Sequence, residues 1–234
     1  MYARLYGGMS SKEPPQATVP EAPAGAPQEP AQAAASAPAV PELTAGAAAI
    51  LGGDEAQLLQ HIQALEVEGR AASQAARVVE EVIQHKPLLG APHIGRLVKL
   101  LVNGPARGSH AAAVTLPLLA KVAPAKVARH LEVLREGFDK VSEPAKDGMV
   151  RVFIALCIAS VAYQRRVIDV LEKALAGAEA KTLVQWAELA LPALKGEPHA
   201  QARAVVEQRL YELPKPQAQR IADFLGVKLR ITRP

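Results

Sequence analysis

The sequence predicts an all-α fold of helical hairpins stacked side by side, and three observations carry that prediction. First, an apolar segment recurs. Val-Leu-Arg-Glu-Gly-Phe from Val133, Val-Leu-Glu-Lys-Ala-Leu from Val170 and Val-Val-Glu-Gln-Arg-Leu from Val205 start 37 and 35 residues apart, with a fainter copy from Val78. Second, Pro105-Ala106-Arg107, Pro144-Ala145-Lys146 and Glu179-Ala180-Lys181 open apolar segments at spacings of 39 and 35. Repeats of this length mark units that bury their faces against neighbouring copies. Third, Pro and Gly fall between the apolar segments, at Gly104-Pro105, Ala123-Pro124, Glu143-Pro144, Gly177, Gly196-Glu197-Pro198 and Leu213-Pro214. There they stop one helix and admit the next.

The elements follow in order. Asp54, after Gly52-Gly53, is placed to cap a helix whose Leu58, Leu59, Ile62 and Leu65 share one face. Gly69 breaks that helix, and residues 71–85 form its partner with Ala75, Val78, Val79, Val82 and Ile83 inward, closed by Lys86-Pro87. Residues 93–102 then pair with 109–123, 125–141 with 145–162, and 164–176 with 180–195, while 198–213 and 217–225 finish the array. Pro117 and Pro192 fall inside predicted helices and should kink them by removing a backbone donor. The helix after Lys146 is apolar almost all round, so it should need cover on more than one side. Only Val227 to Thr232 alternates like a strand, and after a helical array it reads as an extended tail.

Composition divides the chain into residues 1–42, 43–226 and 227–234. The first 42 residues hold 8 of the 19 prolines and 11 alanines, with almost no branched aliphatics after Leu5. Such a stretch buries too little apolar surface to offset chain ordering and is expected to be a disordered, semi-stiff tether. At its start, Tyr2, Arg4, Leu5 and Tyr6 form a candidate peptide motif for docking on a partner, or a frayed terminus with no role. The net charge is +4, with −2 from the tail and +6 from the rest, and the final residues 227–234 form a basic C-terminal tail. Charge of this size permits weak attraction to acidic partners without selecting one. One cysteine, Cys157, makes no internal disulfide and fits a reducing compartment. Met1 to Ser10 holds one Arg and no apolar run, so no secretory signal is expected. The longest apolar run, Val152 to Ala162, is 11 residues, too short to cross a bilayer. The expectation is a cytoplasmic protein without membrane insertion, and the Ala, Pro, Val and Arg usage hints at a GC-rich bacterial source.

The Asp147-Gly148-Met149-Val150-Arg151 opening and the Ala155-Leu156-Cys157-Ile158-Ala159 run resemble a HEAT-type repeat, a family with a turn Asp, a Val-Arg early in the second helix and an Ala-Leu segment within it. The resemblance covers roughly residues 54–225 and implies an α-solenoid of four to five hairpins. Family members join successive repeats by an Asp–Arg ladder. Here the preceding unit offers Gly108 and Ala112 at those places and the following one Thr182 and Trp186, so the ladder is not repeated. Some bacterial alkylpurine DNA glycosylases are also built of HEAT-like repeats, and they hold DNA with aromatic side chains. This chain has one Trp and 3% aromatics, too few for base-stacking platforms, and Trp186 reads as core or groove packing.

Catalytic residues, cofactors and metals are not expected. The six histidines are scattered singly, Glu80 and Glu81 point in different directions, and no nucleophile elbow or phosphate loop is present. The function predicted is a non-enzymatic scaffold or adaptor that binds one or more proteins in a groove around Arg151, Gln185 and Trp186. The alternative is a DNA- or RNA-associated protein that contacts phosphates through Arg165, Arg166, Lys228, Arg230 and Arg233.

Overall fold

The computed structural model describes residues 43–229. The tether, with Tyr2, Arg4, Leu5 and Tyr6, and the terminal Arg230 and Arg233 lie outside the described residues. Among the described residues there are twelve α-helices and no strand: α1 (Ala45–Leu51), α2 (Ala56–Ala64), α3 (Arg70–His85), α4 (Ile94–Asn103), α5 (Ala106–Val122), α6 (Pro124–Ala128), α7 (Leu131–Gly137), α8 (Glu143–Ala159), α9 (Val161–Gly177), α10 (Ala180–Ala193), α11 (Glu197–Arg209) and α12 (Lys215–Leu225). The all-α class is as the sequence predicts.

The helices pack in two rows. α3, α5, α8, α10 and α12 each pack on the next, while α4 packs on α7 and α9 on α11. α2 lies on α3, α4 on α5 and α8 on α9, and one continuous apolar core fills the space between the rows. Leu97, Leu101, Leu116, Leu119, Leu131, Leu134 and Phe153 are fully buried in it. Both sequence registers fall on this plan. Val133, Val170 and Val205 lie in α7, α9 and α11, whereas the Pro105, Pro144 and Glu179 segments open α5, α8 and α10. The faint copy at Val78 lies in α3, a helix of the other row, so it does not belong to the same register.

Several local expectations are corrected. α1 was not expected, because its Ala-rich sequence continues the composition before it and it buries only Ala47 and Ile50. It is held from outside: the Thr44 amide and hydroxyl donate to the Glu81 carboxylate of α3 at 2.8 and 2.7 Å. Asp54 does not cap α2, which starts after Glu55; its carboxylate accepts from the Gln57 side chain instead. That helix ends at Ala64, with Leu65 as its C-cap, before Gly69, which opens α3 from a φ of 135° that side chains disfavour. The expected helix 125–141 is broken at Arg129-His130. Val127, Leu131 and Leu134 keep the phase of one helix, so hydrophobic spacing cannot show the break. Finally, Ser160 turns the chain between α8 and α9 with an extended backbone, its hydroxyl accepting from the Ala162 amide.

The rows are tied differently. Between α7 and α9, Glu132 meets Arg166, Arg135 meets Asp169 and Asp139 meets Lys173, each pair 34 residues apart. Between α9 and α11, the Arg209 guanidinium donates to the carbonyls of Leu175 and Ala178, closing the C-terminal end of α9. Reaching across from α9 to the other row, buried Gln164 (1% exposed) donates to the carbonyls of Cys157 and Ala193 and accepts from the Lys195 amide. It thereby brings the C-terminal ends of α8 and α10 together.

Candidate functional site

The site grows out of α8, which buries more of its residues than any other described helix. Met149, Val150, Val152, Phe153, Ile154, Leu156 and Cys157 are buried, as the all-round hydrophobicity requires. The cover stops at Ile158, which stays 68% exposed. Leu189 of α10, which lines the same groove, is also exposed, at 41%. Large aliphatics gathered on one surface are characteristic of interaction sites rather than of ordinary solvated helix faces.

These residues border a groove of about 520 Å³ between α5 and α8. Val114, Pro117 and Leu118 form one wall, Ile154, Ala155 and Ile158 the other, and Leu189 stands at the side. A close helix contact forms its floor. A Cβ on Gly148 would lie 2.6 Å from both the Cα and the Cβ of Ala113, so only glycine lets α8 approach α5 this closely. Pro117 lies inside α5 and leaves the Ala113 carbonyl without a helical donor; that oxygen faces Gly148 across the contact.

Polar groups sit on the rim: His110, Asp147, Arg151 and Lys121. Asp147 is spoken for on both oxygens. Arg151 Nε donates to Oδ2 at 2.7 Å, and the Trp186 indole N–H donates to Oδ1 at 2.8 Å. Trp186 stands 35 residues after Arg151, where a repeated ladder would place the next arginine, and its N–H supplies the link across to the following hairpin. Burial pushes the carboxyl of neighbouring Glu80 up, against the pull of His110 and Arg107.

The predicted site residues divide accordingly. Arg151 is on the groove rim, half-exposed. Trp186 is 2% exposed and spends its one donor on Asp147, so it positions α10 and offers no surface to a partner. Gln185 is exposed but lines a separate depression between α10 and α12 with Lys181, Pro216 and Arg220. Arg165 and Arg166 lie on α9 in the other row, and Arg166 is 3.3 Å from Glu132. Lys228 follows α12, beside Tyr211 and Leu229. Ile158, Leu189, His110 and Lys121 were not foreseen as a group. The one signal for them was that α8 has more apolar positions than its neighbours could cover.

Cys157 is buried, and desolvation pushes its thiol up to about 12, which removes the thiolate as a nucleophile at neutral pH. Among the described residues no group of three or more His, Cys, Asp or Glu side chains is placed to hold a metal, and no helix is long and apolar enough to cross a membrane. No protein-family model, curated protein or solved structure matches the chain.

Proposed function

We propose that residues 43–226 form a HEAT-like α-solenoid that acts as a non-enzymatic protein–protein scaffold, with the α5–α8 groove as its partner site. The observation that supports this reading most is the exposed aliphatic cluster of Ile158 and Leu189 at the groove edge. An aliphatic of that exposure gains free energy when a partner covers it, at about 25 cal/mol for each Å² of apolar surface removed from water. The α3–α5–α8–α10–α12 row suits this role, since stacked hairpins present their second helices as one continuous face.

The test is affinity capture with the full chain as bait, compared with an Ile158→Glu bait. Ile158 is largely solvated, so the charge should leave folding intact while desolvation of a carboxylate blocks the groove. A partner held by the wild type and lost by the variant, with unchanged thermal unfolding, supports the scaffold. Equal capture by both removes the groove from the function.

A further inference from the structure

The groove's chemistry restricts what can occupy it, given the scaffold reading on which this inference rests. Its walls are helices whose interior backbone groups are paired along the helix, and the carbonyl released by Pro117 faces Gly148. An extended peptide laid between such walls would bury N–H and C=O groups with nothing to pair them, unlike a peptide added to a sheet edge. A helical occupant arrives with its backbone bonds made. The lining runs from His110 to Lys121 on α5 and from Pro144 to Ile158 on α8. At 1.5 Å per residue these spans are about 16–21 Å, or roughly three to four turns of a docked helix.

Charge selects further. Lys121, at the C-terminal end of α5, makes no ion pair among the described residues. Asp147, the lining carboxylate, is ion-paired with Arg151 of the same lining at 2.7 Å, so their charges offset each other. Among the described residues, Lys121 is therefore left as an unpaired cation of the groove that holds the exposed aliphatics. We infer that the occupant is an amphipathic α-helix of a partner protein, apolar toward Ile158 and Leu189 and carrying carboxylates beside Lys121.

The experiment titrates the full-length protein with fluorescent, end-capped peptides of about 14 residues, long enough for the groove. One carries leucines at i, i+3, i+4 and i+7 with glutamates flanking them; a second has lysines for the glutamates; a third has a central proline. The acidic helix should bind, the basic one about fivefold or more weakly, and the proline peptide not at all. Lys121→Glu should reverse the preference between acidic and basic peptides, and Ile158→Glu should abolish binding of both. Equal binding of the acidic and basic peptides, or undiminished binding of the proline peptide, overturns the inference. So does failure of every peptide while the intact protein still captures a partner that Ile158→Glu loses, a result that leaves the scaffold reading standing. Retention of the captured partner by Ile158→Glu instead removes that reading, and this inference with it.

Discussion

Two contacts between neighbouring helices, one in each row, are made by opposite means. From α7 to α9, the links are ion pairs between half-exposed side chains, spaced by the same 34 residues in each case. From α5 to α8, the link is backbone against backbone, at a point where even a methyl group has no room. Exposed ion pairs are worth little each and tolerate rearrangement, because water and salt screen them and long side chains lose freedom in making them. A steric contact tolerates no rearrangement. The α5–α8 contact is thus the stiffer of the two, and the groove inherits its shape from packing rather than from charge.

Substitutions sharpen this contrast, beginning with the strongest. Gly148→Val should destabilise the protein by about 3 kcal/mol or more and Gly148→Ala by about 1–3, since either must push α8 away from Ala113. Urea unfolding of both variants measures this, and a loss below that of any ion-pair variant would refute the steric account. Gln164→Leu should cost about 2–4 kcal/mol, because two carbonyls and one amide lose their partner in a buried position. The check is thermal unfolding beside Gln164→Glu, which keeps an acceptor for Lys195 but loses both donated bonds.

Trp186→Phe keeps most of the buried ring area and removes the N–H to Asp147, so about 1 kcal/mol should be lost. In a double-mutant cycle with Asp147→Ala, this effect should vanish once the carboxylate is gone; persistence would mean that the indole acts through packing alone. The smallest change belongs to the other row. Arg166→Ala should cost about 0.5 kcal/mol or less, and what it does cost should fade in high salt. The same variant addresses the phosphate-binding alternative. If that alternative holds, an electrophoretic shift with duplex DNA should weaken in Arg165→Ala and Arg166→Ala and fall steeply as salt rises.

How far the sequence could be read depends on the range of the interaction. The hairpin openings at Pro105, Pro144 and Glu179 were legible because capping and chain-breaking residues act within a few positions. The fine breaks at Arg129-His130 and Ser160 were not, since apolar spacing runs through both without a change of phase. For the site, Arg151 on the rim could be picked out from its motif, while Trp186, readable as either core or groove packing, lies in the core.

By itself, the sequence determined that the described part of the chain is helical, how far apart its apolar segments recur, and that the helix after Lys146 holds more apolar side chains than one neighbour can bury. All of these follow from local propensity and periodicity. Only the tertiary structure decided that Ile158 is the large aliphatic of α8 left uncovered, that Trp186 donates to Asp147 across some 39 residues, and that Lys121 lines the same groove as Ile158 and Leu189. Each depends on how one helix is rotated and shifted against the next. That register is set by the contact of Gly148 with Ala113 and by polar links some 30 to 40 residues apart, at separations where no propensity acts.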